Sequence, residues 1–264
     1  MRFRSETRWD YARQAITAVV ALAHFALPQI GFARRIGGTS AIMDASESPA
    51  VPPPWTFAIW GVIFAWTLLF ALWQALPGNA KSSFLRAVGP WAAASLTLSA
   101  LWSLCAMFAP FWTTLAAMSA LYVSLAITCA AMRKRPESAM EAARWLGRRP
   151  FELFFGWIAL ALPANAAAVM REYGLTVFAD NPQLDVFVLF ALAALTVYAG
   201  LAVTRGAAFF AFAAAWGAGA LLFDNSWANW RPEPAAASAA LLLFLLAAER
   251  WIASRRAGGF ARRR

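Results

Sequence analysis

The chain has 264 residues, of which 61% are apolar and 14% charged, with 14 tryptophans and a formal net charge of +10; its mean hydropathy is +0.56. A soluble domain carries about a quarter charged residues and about half apolar ones, so these values exclude a disordered chain, a coiled coil, a disulfide-rich secreted domain and most soluble enzymes. They leave an all-α polytopic membrane protein, and the placement of Lys and Arg decides whether the positive charge sets orientation or meets nucleic acid.

A spanning helix needs about 20 predominantly apolar residues. Residues 1–13 form a basic N-terminus with Arg2, Arg4, Arg8 and Arg13, followed by an apolar run from Gln14 to Ala33. No small-x-small cleavage site is obvious, and Pro28, Arg34 and Arg35 end the run, so it reads as a retained first helix and not as a signal peptide. The second span runs Trp55 to Leu76, closed by Pro77-Gly78. The third runs Val88 to Phe108, and Pro110 separates it from the fourth, Phe111 to Met132. The fifth is Phe151 to Met170. The sixth, Asp185 to Thr204, turns through Arg205-Gly206 directly into the seventh, Ala207 to Phe223. An eighth, Ala235 to Ile252, precedes a basic tail at 254–264. Between spans lie a Ser-, Ala- and Pro-rich loop, Gly37 to Pro54, which reads as a lid or a linker, and a stretch around Met140 to Leu146 that reads as a short amphipathic surface helix.

Charge placement tests this topology. With the N-terminus inside, 19 of the 23 Lys and Arg residues lie on that side, all but Arg34, Arg35, Arg171 and Arg231. Such a split is a positive-inside signal. It places both termini in the cytoplasm and explains the net charge without nucleic acid; a bacterial inner membrane is the expected location. The same cations would meet anionic heads of the lipid bilayer. Cys105 and Cys129 then fall in opposite leaflets, too far apart to bridge, so both are expected as free thiols.

Most membrane tryptophans anchor at interfaces, which accounts for Trp55, Trp73, Trp91, Trp112, Trp227, Trp230 and Trp251 at span ends. Trp60, Trp66, Trp102, Trp157 and Trp216 lie deeper. Trp66 shares the stripe of Trp55 and Trp73, facing lipid or a neighbouring subunit, whereas Trp60 points roughly 140° away, into the bundle. Asn165 is a costly amide at membrane depth, of the kind that lines substrate paths. Pro163 beside it frees a backbone carbonyl for a ligand or another helix. His24, the single histidine, sits mid-span as a helix–helix hydrogen-bonding group or a ligand.

The run Pro52-Pro53-Pro54-Trp55-Thr56-Phe57-Ala58-Ile59-Trp60 resembles the start of the second helix in the TspO/MBR family, the tryptophan-rich sensory or translocator proteins. Arg149-Pro150-Phe151 through Trp157-Ile158-Ala159 to Asn165 resembles that family's fifth helix, Leu101-Trp102 its third, and Ala23-His24-Phe25 with Gly31 its first. The resemblance implies a TspO-like five-helix bundle over 14–171, to which 172–253 adds three transmembrane helices, eight spans in all. It implies a pocket toward the long first loop, lined by Trp60, Trp157 and Asn165. Trp102, His24, Trp55 and Phe57 complete the expected ligand-contacting set.

Family members bind porphyrins and sterols, and many dimerise. The resemblance therefore implies a binding, transport or sensory receptor protein for a large apolar or planar ligand such as a tetrapyrrole, without a covalent cofactor. Two departures matter: Gly37 to Val51 lacks the aromatics of the family's first loop, and Leu101 replaces the third-helix asparagine. The sterol-recognition pattern is absent after Asn165, so sterol binding does not carry over. The alternative is a structural or assembly subunit of a larger pigment or respiratory membrane complex, with Trp66, Trp216 and the added helices as its surface. An ion-coupled transporter fits less well, because no inverted repeat or intramembrane acid pair is present. No enzyme is expected, since no catalytic set, metal cluster or paired carboxylates stand at membrane depth.

Overall fold

The structure, a computed structural model, describes residues 8–38, 54–135, 140–178, 180 and 182–223. Among these every regular element is helical. Helix α1 spans Arg8–Arg34. A 3-10 turn, Pro54–Ala58, leads into α2, Ile59–Ala75, and a second, Pro77–Asn79, follows it. Helices α3 and α4 are Ser83–Phe108 and Thr113–Arg133. A π-helical turn, Ala143–Arg148, runs into α5, Arg149–Glu172. Helices α6 and α7 are Pro182–Thr204 and Ala208–Phe223. Six of these segments are long and apolar enough to cross a membrane, and Ala208–Ala220 is apolar but shorter. The expected eighth span, the basic tail and most of the long first loop lie outside the described residues.

Local sequence explains the boundaries. Ser82 caps α3, accepting from the Leu85 N–H at 3.3 Å. Gly206, at φ +70°, ends α6 in the left-handed conformation that lacks a Cβ penalty, and its N–H reaches the Leu201 carbonyl at 2.8 Å. The Met140–Leu146 stretch is not a separate surface helix. It belongs to the wound lead-in of α5, with Ala143 and Gly147 buried and the Arg149 guanidinium lying 3.3 Å from the Trp145 ring centroid.

Helix α1 packs on α2 and α3, α3 on α4, α4 on α5, and α5 back on α2, so these contacts close a ring. Helices α6 and α7 then cover α5, and α7 also meets the Pro54–Ala58 turn. In its most apolar stretch, 78% of α5 is buried. A helix that is apolar on all sides is one surrounded by others. Gly156 permits the closest approach, since a Cβ there would stand 2.2 Å from the Phe210 carbonyl oxygen of α7. Pro163 cannot donate to the carbonyl of Ala159 one turn earlier. The Thr196 hydroxyl of α6 donates to that carbonyl at 2.6 Å, so another helix takes the freed group.

Polar contacts tie the ends of α1, α2 and α3 where α1 begins. Arg86 donates to both oxygens of the buried Asp10 carboxylate, at 2.7 and 2.6 Å. Arg13 donates to Gln74 Oε1 at 3.0 Å and to the Ala80 carbonyl at 3.2 Å. Gln14 and Gln74 each donate a side-chain N–H to the other's carbonyl, at 2.8 and 3.0 Å. Between α3 and α4, Ser95 meets Ser124 at 2.9 Å and Thr128 at 3.0 Å. Interhelical hydroxyl and amide bonds of this kind substitute for water at depth.

Candidate functional site

At the opposite end the same three helices part around a cavity of about 350 Å³. Helix α1 contributes Pro28, Gln29 and Phe32; the 3-10 turn contributes Pro54 and Phe57. Helix α2 contributes Trp60 and Phe64, and α3 contributes Ser99, Trp102 and Ser103. The stagger of Trp60 and Phe64, four residues apart on one helix face, lets their rings stack at 5.2 Å and form a continuous aromatic wall. Gln29 and Pro54 are exposed and mark the mouth. Five aromatic rings and three polar side chains make the lining apolar, with few orienting groups.

Three of the sequence-predicted residues, Phe57, Trp60 and Trp102, form the wall itself. Three stand directly behind it. Trp157 is fully buried and packs edge-on against Phe57 at 5.7 Å and Trp60 at 6.3 Å. His24 packs against Phe64 and Trp60, and its Nδ1 shares a 2.8 Å hydrogen bond with the Ser99 hydroxyl. Asn165 holds the wall in place: its Oδ1 accepts from the Trp102 indole at 3.1 Å, and its Nδ2 donates to the Thr114 hydroxyl at 3.0 Å. One amide on α5 thereby fixes α3 and α4. Trp55 lies outside the cavity, half-exposed, with its ring edge-on to Trp216 at 5.4 Å.

Sequence reasoning missed how α7 bears on the site. The Trp216 indole donates to the Thr56 carbonyl at 2.9 Å, which pins the turn carrying Pro54 and Phe57. Trp66, on the stripe expected to face lipid or a neighbouring subunit, is half-buried. It packs against Phe209 of α7 at 5.1 Å and Trp145 at 6.3 Å. Both rings expected as an assembly surface, Trp66 and Trp216, make such contacts within the chain while staying partly exposed. The signal for this was the small-residue pattern of α5 and α7, Gly156 among it, which lets the added helix approach closely.

Three buried polar atoms near the wall have no partner among the described residues: His24 Nε2, Thr56 Oγ1 and Trp157 Nε1. Unpaired buried donors and acceptors are uncommon in folded proteins, because each forfeits its hydration. Cys105 and Cys129 are both free, as the topology requires. No three His, Cys, Asp or Glu side chains come together among the described residues.

The family described as TSPO-like protein matches residues 14–250, which includes the chain beyond α5. No curated protein and no solved structure matches.

Proposed function

The chain belongs to the TSPO-like protein family, and from that premise we propose that it binds a large, planar, mostly apolar ligand of the tetrapyrrole type between α1, α2 and α3, as a membrane carrier or sensor. The observation that carries this reading is the aromatic cavity. Its volume lies at the lower end of the roughly 300–1,000 Å³ that small-molecule sites occupy. The Trp60–Phe64 stack offers a flat face, while Gln29, Ser99 and Ser103 offer a few hydrogen bonds for a carboxylate-bearing edge. His24 and Trp157, each with an unpaired buried ring nitrogen, pack against the rings of that wall. We assign the closed ring of α1 to α5 to the family's five-helix bundle. The basic end then faces the cytoplasm, so the cavity opens on the other side. The assignment involves binding without a catalytic step.

Protoporphyrin added to the purified protein is expected to quench tryptophan fluorescence saturably. Trp60→Leu should weaken that binding about tenfold or more, the usual cost of an aromatic hot spot. Non-saturable quenching, or equal affinity in the variant, would contradict the assignment.

A further inference from the structure

A second concavity, of about 400 Å³, lies between α3 and α4 on the flank of the basic end, away from the cavity. Ala87 and Trp91 of α3 form one side, and Ile127, Ala130 and Ala131 of α4 form the other. The spacing is helical on both walls: 87 and 91 are one turn apart, and 127, 130, 131 and 134 form one stripe of α4. The alanines leave a furrow between the larger Trp91 and Ile127 side chains, which are exposed. Where the furrow reaches the helix ends, Lys134 and Arg135 line it, both exposed and without an ion-pair partner among the described residues. No carboxylate lines it among the described residues.

We propose that this furrow is a binding site for one anionic phospholipid. From Ile127 to Lys134 is about 10 Å along a helix, the depth of a glycerol backbone and the first methylenes of an acyl chain. The apolar walls match the chain. The Trp91 ring stands at the depth where an indole meets the ester region of a bilayer. Lys134 and Arg135 then face the phosphodiester, with Arg135 able to bind two of its oxygens at once. A zwitterionic head presents the same phosphate but brings an ammonium against the two cations. Charge complementarity therefore selects a lipid with net negative charge, and the furrow distinguishes this site from the general attraction of a basic surface for anionic lipid.

Native mass spectrometry of the full chain released from mild detergent tests this, with dioleoyl phosphatidylglycerol and dioleoyl phosphatidylcholine as matched probes. The wild type should retain a single phosphatidylglycerol about tenfold more strongly than phosphatidylcholine. Lys134→Gln/Arg135→Gln should remove that preference, and Trp91→Ala should weaken retention of both lipids. Arg8→Gln/Arg205→Gln, which deletes two exposed cations of the same end outside the furrow, should leave it intact. Equal retention of the two lipids by the wild type, or an equal loss in the Arg8/Arg205 control, would overturn the proposal.

Discussion

Where α1 begins, helices α1, α2 and α3 are joined by an ion pair and by reciprocal glutamine bonds; where α2 begins, the same helices part around a ring-lined cavity. The first contact set is directional and joins polar side chains across helices, with Arg13 Nε left over. The second offers apolar faces and a few hydroxyls, with polar atoms left over behind them. A bundle fastened at one end can hold its other end open without coming apart. Directional bonds resist separation of the helices, whereas ring packing can be exchanged for contact with a ligand at little cost.

The largest expected effect comes from forcing the wall apart from outside. Gly156→Val places side-chain atoms against the Phe210 backbone and should lower stability by about 3 kcal/mol, measured by thermal unfolding in detergent. Porphyrin affinity should fall with it, since displacing α7 releases the Thr56 carbonyl. Next is Gln74→Leu at the fastened end, which takes the Oε1 acceptor from Arg13 and the side-chain donor from the Gln14 carbonyl while their bonds to backbone carbonyls remain, and should cost about 2 kcal/mol. Because the site lies far from the cavity, affinity in the folded fraction should stay within about twofold. Trp60→Leu loses ring contacts with Phe64, Phe154 and Trp157 and so also lowers stability, but it should weaken porphyrin binding in the folded fraction about tenfold. Equal loss of affinity in the folded fraction of the two variants would remove the separation of the two ends. The smallest effect is expected for Trp216→Phe, which removes one indole bond at a cost of about 1 kcal/mol and should weaken binding only severalfold, by loosening the mouth.

Much of the frame was legible in the chain. Apolar run length places six spans with their ends within about six residues of their helices' ends, because hydrocarbon thickness sets that length directly. Helical angle arithmetic turns Trp60 inward. What could not be read were contacts whose partners lie on other helices. Asn165 reads as a ligand group until Trp102 and Thr114 are found beside it. Arg86 reads as a topogenic charge until α1 and α3 are laid side by side and it meets Asp10. The contacts of Trp66 with Phe209 and of Trp216 with Thr56 were not legible, because the span pattern says nothing about which face α7 covers. Pro163 was legible as a source of a free carbonyl, though not which helix would take it.

The most direct test of the account locates the ligand. In a background lacking Cys105 and Cys129, Gln29→Cys at the cavity mouth and Arg8→Cys at the fastened end are each treated with a water-soluble maleimide, with and without saturating protoporphyrin. Porphyrin should slow modification at position 29 and leave position 8 unchanged. Equal rates at position 29 with and without porphyrin, under conditions where fluorescence shows it bound, would contradict a ligand site between α1, α2 and α3.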